Sequence, residues 1–169
     1  MARTDPAPPA EKLLVDDVRV AAVVAGFHRA VAESLLQGAI DRLAESGLPA
    51  DRVDVQWIPG AYEAPAAAAA LAATGRYAAI MALGAVIRGE TAHFDYVCDA
   101  AASGLMRVSL DTGVPCAFGI LTCDTKAQAE ARAGGDKGNK GDEAADAVVA
   151  MINLLASARA MGPGGASRS

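Results

Sequence analysis

Two hydrophobic periods take turns along the chain. Residues 18–25 (VRVAAVVA) form an almost unbroken apolar run, as expected of a strand covered on both faces. Across residues 30–46, Val31, Leu35, Leu36, Ala39, Ile40 and Leu43 recur at helical spacing, and Gly47 supplies a C-cap. Residues 53–58 predict a second strand, stopped by Pro59 and Gly60. An alanine-rich helix then reaches about residue 73, with Pro65 in its first turn, where a missing N–H is tolerated. Residues 77–87 (YAAIMALGAVI) are a third apolar run. Helical spacing returns over 94–111 and ends at Thr112 and Gly113, and residues 114–122 read as a fourth strand with Pro115 at its start. A short helix over 125–131, a glycine-rich loop and a last helix over 142–160 complete the pattern. Four strands alternating with helices imply an α/β domain, with a four-stranded parallel sheet and helices on both faces. Proline- and glycine-rich ends read as flexible tails, 1–12 and 161–169, around a single domain over 13–160.

A length of 169 residues agrees with one domain. With 53% hydrophobic and 21% charged residues, the chain carries enough apolar surface to fold. A net charge of −5 and a pI near 4.9 have the wrong sign for binding phosphate backbones, which argues against nucleic acid as a partner. About a quarter of the residues are alanine, which buries little area per side chain, so a lone monomer would be marginal and association is expected. No continuous apolar run reaches the ~18 residues of a membrane span. The first residues lack the basic-then-apolar order of a secretory signal. Cys98, Cys116 and Cys123 are odd in number and form no CxxC pair, which fits a reduced, cytoplasmic setting.

In an open parallel sheet, ligands sit beyond the carboxyl ends of the strands. That rule selects four segments: Gly26-Phe27-His28, Pro59-Gly60-Ala61-Tyr62-Glu63, Arg88-Gly89-Glu90-Thr91-Ala92-His93, and residues 120–124 with Phe118 just before them. Phe27, Tyr62, Phe118 and both histidines thus gather near one edge, an arrangement suited to a flat ligand held between rings, although each ring alone could simply plug a strand end. The junction at Gly89, Glu90 and Thr91 places backbone N–H groups and a hydroxyl at a helix start, a seat for phosphate. Glu90 opposes an anion there unless it points away, and Arg132 and Lys140, flanking the glycine-rich loop, are candidate counter-charges. His93, two residues after Thr91, is the side chain best suited to move protons near neutral pH. Glu63 suits a ligand hydroxyl or N–H, or serves the helix dipole as a first-turn acid. Two histidines and three scattered cysteines do not make a zinc site, and there is no G-x-G-x-x-G, P-loop or G-x-S-x-G.

The segments IPGAYEAP (58–65), LGAVIRGETAHFDYV (83–97), GVPCAFGILTCDT (113–125) and RAGGDKGNKG (132–141) closely resemble the 6,7-dimethyl-8-ribityllumazine synthase family, in its order and spacing, over about residues 18–156. The resemblance implies a flavodoxin-like three-layer α/β/α sandwich and the penultimate step of riboflavin biosynthesis. The expected substrates are 5-amino-6-(D-ribitylamino)uracil and 3,4-dihydroxy-2-butanone 4-phosphate, with phosphate and water released and no metal or organic cofactor required. It further implies that Phe27 stacks on the pyrimidine, that Ala61, Tyr62 and Glu63 contact ring and ribityl chain, and that Ala85, Val86 and Ile87 line the pocket through backbone groups. Glu90, Thr91 and Arg132 would hold the phosphate, and His93 would transfer protons. Phe118, Arg132 and Lys140 would arrive from a neighbouring subunit. His28 stands where family members carry Asn or His, and an orienting role is expected for it; Tyr62 replaces a common Phe, and Cys123 a usual Thr. Some members close pentamers into sixty-subunit shells, partly by adding the N-terminal segment to a neighbour's sheet. Pro6, Pro8 and Pro9 lack the N–H groups for that pairing, so a free homopentamer is expected.

Overall fold

The structure is a computed structural model and describes residues 9–162. Four parallel strands, β1 (Val20–Ala25), β2 (Val53–Ile58), β3 (Ala79–Ile87) and β4 (Cys116–Cys123), pair in the order β2-β1-β3-β4. This is the flavodoxin-like order without a fifth strand, and its reversal point lies between β1 and β3. Helices α1 (Arg29–Ser46), α4 (Lys126–Ala131) and α5 (Lys140–Met161) cover one face, and α2 (Ala64–Ala72) and α3 (His93–Thr112) the other. The apolar run of β1 serves both layers by alternation. Val20, Ala22 and Val24 join the core beneath α1 and α5, while Ala21 and Val23 join that beneath α2 and α3.

β1, β3 and β4 begin two residues into their apolar runs, because Val18, Tyr77 and Val114 pack before the ladder starts. Pro65 takes its place in the first turn of α2. The glycine-rich stretch is not a plain loop. It folds into an antiparallel hairpin, β5 (Ala133–Gly135) and β6 (Gly138–Asn139), laid against α1. Asn139 makes this possible: its Oδ1 accepts from Gly141 N at 2.8 Å and caps α5, while its Nδ2 donates to Ser34 O at 2.9 Å. Ser34 Oγ donates to the Ala133 carbonyl from the α1 side. α5 therefore starts at Lys140, two residues before its expected start. It is long and apolar enough, by length and composition, to cross a membrane, yet one stripe of it (Ala144, Ala145, Val148, Val149, Ile152) is buried in the core.

Backbone contacts also reach the stretch read as an N-terminal tail. The buried Asn153 on α5 accepts from Leu14 N at 2.9 Å and donates to Lys12 O and Glu11 Oε1 at 2.9 and 3.0 Å. Residues 1–8 and 163–169 lie outside the described residues.

At the amino end of the sheet, Asp54 on β2 receives Arg19 (2.5 and 3.2 Å) and the Tyr77 hydroxyl (2.9 Å). The hydrogen bonds from Arg19 and then Tyr77 hold its carboxyl below the usual carboxylate range. A depressed carboxylate stabilises the fold above its unfolded pKa, and that contribution is lost as pH falls through the folded value. Asp54→Asn is therefore expected to lower the urea midpoint near neutral pH and to flatten its decline below about pH 5. An acid limb unchanged by the substitution would contradict this.

Candidate functional site

The cavity at the carboxyl edge arises from a stagger between neighbouring strands. β1 pairs with β3 only as far as Val24–Leu83, whereas β3 runs on beside β4 to Ile87–Cys123. Ala85, Val86 and Ile87 thus have no strand partner on the β1 side, and their peptide groups there are offered to a ligand. Gly84 marks the parting: its φ is +154°, and a Cβ would come within 2.7 Å of Ala25 Cβ.

Loops from three strand ends raise walls around this floor and enclose about 450 Å³. Phe27 and His28 come from the β1–α1 turn, Gly60 to Glu63 from the turn before α2, and His93 and Val97 from the first turns of α3. Phe27 and Tyr62 are 79% and 61% exposed, so each ring is open to a partner in stacking. The Phe27 ring lies directly on Gly60, where an added Cβ would sit 2.6 Å from it. Glu63 Oε2 accepts from Gly60 N at 3.0 Å, so this acid first holds the turn that supports Phe27. Arg29 lies flat over Trp57, 3.4 Å from the ring centroid, and ties the start of α1 to the end of β2.

His93 is the first residue of α3, with Ala92 rather than Thr91 at the cap position. Thr91 Oγ1 accepts from His93 N at 3.4 Å, and Glu90 and Thr91 are exposed at the rim. Among the described residues, the His93 side chain has no hydrogen bond or ion pair, which leaves its ring free to meet a ligand.

Phe118, Arg132 and Lys140 are not brought to this cavity. They line a second one, also about 450 Å³, along the open edge of β4 between α4 and α5. Arg132 Nη1 donates to Gln128 O at 3.0 Å, and Lys140 Nζ pairs with Glu143 at 2.6 Å. The Lys140 N–H donates to the Arg132 carbonyl at 2.8 Å, so the hairpin sets both cations together. The two cavities share no lining residue. The lining residues that the sequence reading did not single out are Val97 in the first cavity and Ala117, Gly119, Gln128, Glu143, Ala144 and Ala147 in the second. Val97 was within reach of sequence reasoning, being one helical turn after His93.

A flavodoxin-like sheet with exposed rings, an unengaged imidazole and open peptide groups at its reversal point is a setting suited to a flat, polar small molecule. Residues 17–156 match the family model described as 6,7-dimethyl-8-ribityllumazine synthase, and the chain belongs to that family. It is 54% identical over 143 residues to the 6,7-dimethyl-8-ribityllumazine synthase of Salinibacter ruber, covering 85% of this chain and 92% of that one. It is 50% identical over 137 residues to that of Coxiella burnetii, covering 81% and 91% respectively.

Proposed function

We propose that this chain is a transferase that condenses 5-amino-6-(D-ribitylamino)uracil with 3,4-dihydroxy-2-butanone 4-phosphate, at sites shared between neighbouring subunits of a homopentamer. The observation that carries the reading is the division of the chemistry: rings, peptide floor and imidazole in one cavity, and Phe118 with two cations in another that shares no residue with it. Closing the first cavity of one subunit with the second of its neighbour joins a heterocycle pocket to a phosphate pocket. In this arrangement Phe27 stacks on the pyrimidine and the floor at Ala85, Val86 and Ile87 pairs with its polar edge. Ala61, Tyr62 and Glu63 follow the ribityl chain, and Phe118 closes the ring from the opposite side. Thr91, the peptide N–H at Glu90 and Arg132 take the phosphate, and Lys140 adds positive charge beside it. His28 orients Phe27 and the ribityl end.

The reacting groups belong to the substrates. The uracil's 5-amino group attacks the ketone and water leaves as the imine forms. A proton is removed from the adjacent carbon and the C–O bond to phosphate breaks, expelling inorganic phosphate. The enol left at that carbon tautomerises to a new carbonyl, the ribitylamino nitrogen closes on it, and a second water departs. The protein's part is to hold two molecules in a productive pose and to let His93 carry protons. A cytoplasmic setting agrees with three unpaired cysteines whose thiol pKa values burial pushes up.

Incubating the protein with both substrates and following lumazine absorbance tests the activity, and no absorbance change would end the reading. Arg132→Ala is expected to raise KM for the butanone phosphate. Shared sites are tested by mixing. If His93→Ala and Arg132→Ala subunits are dissociated together and reassembled in equal amounts, about a quarter of the sites regain both groups by random combination. Recovery to that fraction of wild-type activity is expected, and activity no higher than the two separate variants would rule out a site built from two chains.

A further inference from the structure

We infer that Arg88 is a positioning residue for His93. The inference rests on the reading of His93 as the proton-transfer group and extends it to a side chain outside both cavity linings. Arg88 directly follows Ile87, and its N–H donates to Cys123 O at 2.9 Å, a last rung beyond the β3–β4 ladder. Its guanidinium then reaches two further elements. Nε meets Asp124 Oδ1 at 2.9 Å, just past β4. Nη2 and Nη1 meet the two oxygens of Asp95 at 3.2 and 3.4 Å, in the first turn of α3. The guanidinium carbon lies 4.1 Å from the centre of the Phe94 ring, which is itself buried.

Phe94 and Asp95 are the two residues after His93. Between β3 and α3 the chain passes through exposed residues 89–92, and an added Cβ at Gly89 would meet nothing within 4 Å. That link offers the helix start little support. With no side-chain bond of its own, the His93 ring is placed only by where the first turn of α3 sits. The flat fork of Arg88, bidentate on Asp95 and stacked on Phe94, sets that turn against the floor strand. A lysine would supply the charge without the fork. Exposed ion pairs of this kind add little to global stability, so their loss should appear in the rate and not in the fold.

The test uses the assembled enzyme. Arg88→Gln is expected to lower kcat roughly tenfold, since a small misplacement of a catalytic group is costly, with both KM values, subunit assembly and the thermal midpoint close to wild type. In a His93→Ala background the same substitution is expected to cause no further fall, because a residue acting through the imidazole has nothing left to place. A wild-type kcat for Arg88→Gln alongside a slow His93→Ala overturns the inference, as does a loss that multiplies with that of His93→Ala. A wild-type kcat for His93→Ala itself would remove the underlying reading as well, and the two failures are thereby told apart. Should Arg88→Gln fail to assemble, Asp124→Asn removes one arm of the clasp. A smaller fall in kcat that vanishes in the His93→Ala background supports the inference, and one that persists there overturns it.

Discussion

Turnover by His93→Ala is expected to fall about a hundred- to ten-thousand-fold, the usual span for a positioned proton carrier, without being abolished. The residual rate follows from the division of labour: amine, ketone and leaving phosphate come with the substrates, and holding them together supplies much of the acceleration. The imidazole lies exposed on the cavity wall and bonds to no other side chain among the described residues, so its removal should leave the melting temperature and assembly unchanged. Both KM values should stay within a few-fold, because the ring contributes to proton movement more than to ground-state binding. Single-turnover absorbance with saturating substrates measures the effect. A variant that folds and assembles yet has no detectable activity would show that the protein does more of the chemistry than this account allows.

Gly141→Ala should be the most damaging small substitution in the chain. Gly141 is buried in the first turn of α5, and an added methyl would fall directly on the carbonyl of Leu35, a backbone atom in the middle of α1. Main chain on both sides cannot yield as a side-chain tip would, so the two helices must separate. A loss of about 3 kcal/mol is expected, at the upper end for overpacking, read from urea midpoints. Gly89→Ala, with open space around it, should change stability by less than about 0.5 kcal/mol. Moving the start of α5 also moves Lys140, whose N–H holds the Arg132 carbonyl. Where Gly141→Ala remains folded, KM for the phosphate-bearing substrate should rise. An unchanged urea midpoint would mean that the helices adjust at no cost.

The layers of the fold could be read in the chain because a doubly covered strand shows as a continuous apolar run, and α1 and α3 show as 3.6-residue stripes closed by Gly47 and Gly113. The hairpin after α4 could not be read. Its strands have three and two residues and no alternating pattern, and what shapes them is Asn139 and Ser34 reaching across from elements far apart in sequence. The strand-end rule selected Phe27, Ala61 to Glu63 and His93, which line one cavity together with Ala85 to Ile87, residues that only the likeness to known sequences implied. It also pooled Phe118 with them, and the search for a counter-charge added Arg132 and Lys140, because chain position does not say which side of a sheet a loop falls on. Only the likeness to known sequences implied that those three serve a neighbour's site. Glu63 shows the same limit: its spacing suited a ligand contact or a helix-dipole acid, while its bond to Gly60 N is a local partnership that depends on how the turn folds.

The floor that β3 presents beyond the end of β1 is made of peptide groups, and these are common to every amino acid. A compound that recognises the site through them meets atoms that no change of codon can delete, save an N–H lost to proline. Escape would have to come from the walls, at Phe27, Tyr62 or Val97, or from a shift of the strand itself. Gly84, wedged against Ala25, leaves little room for such a shift.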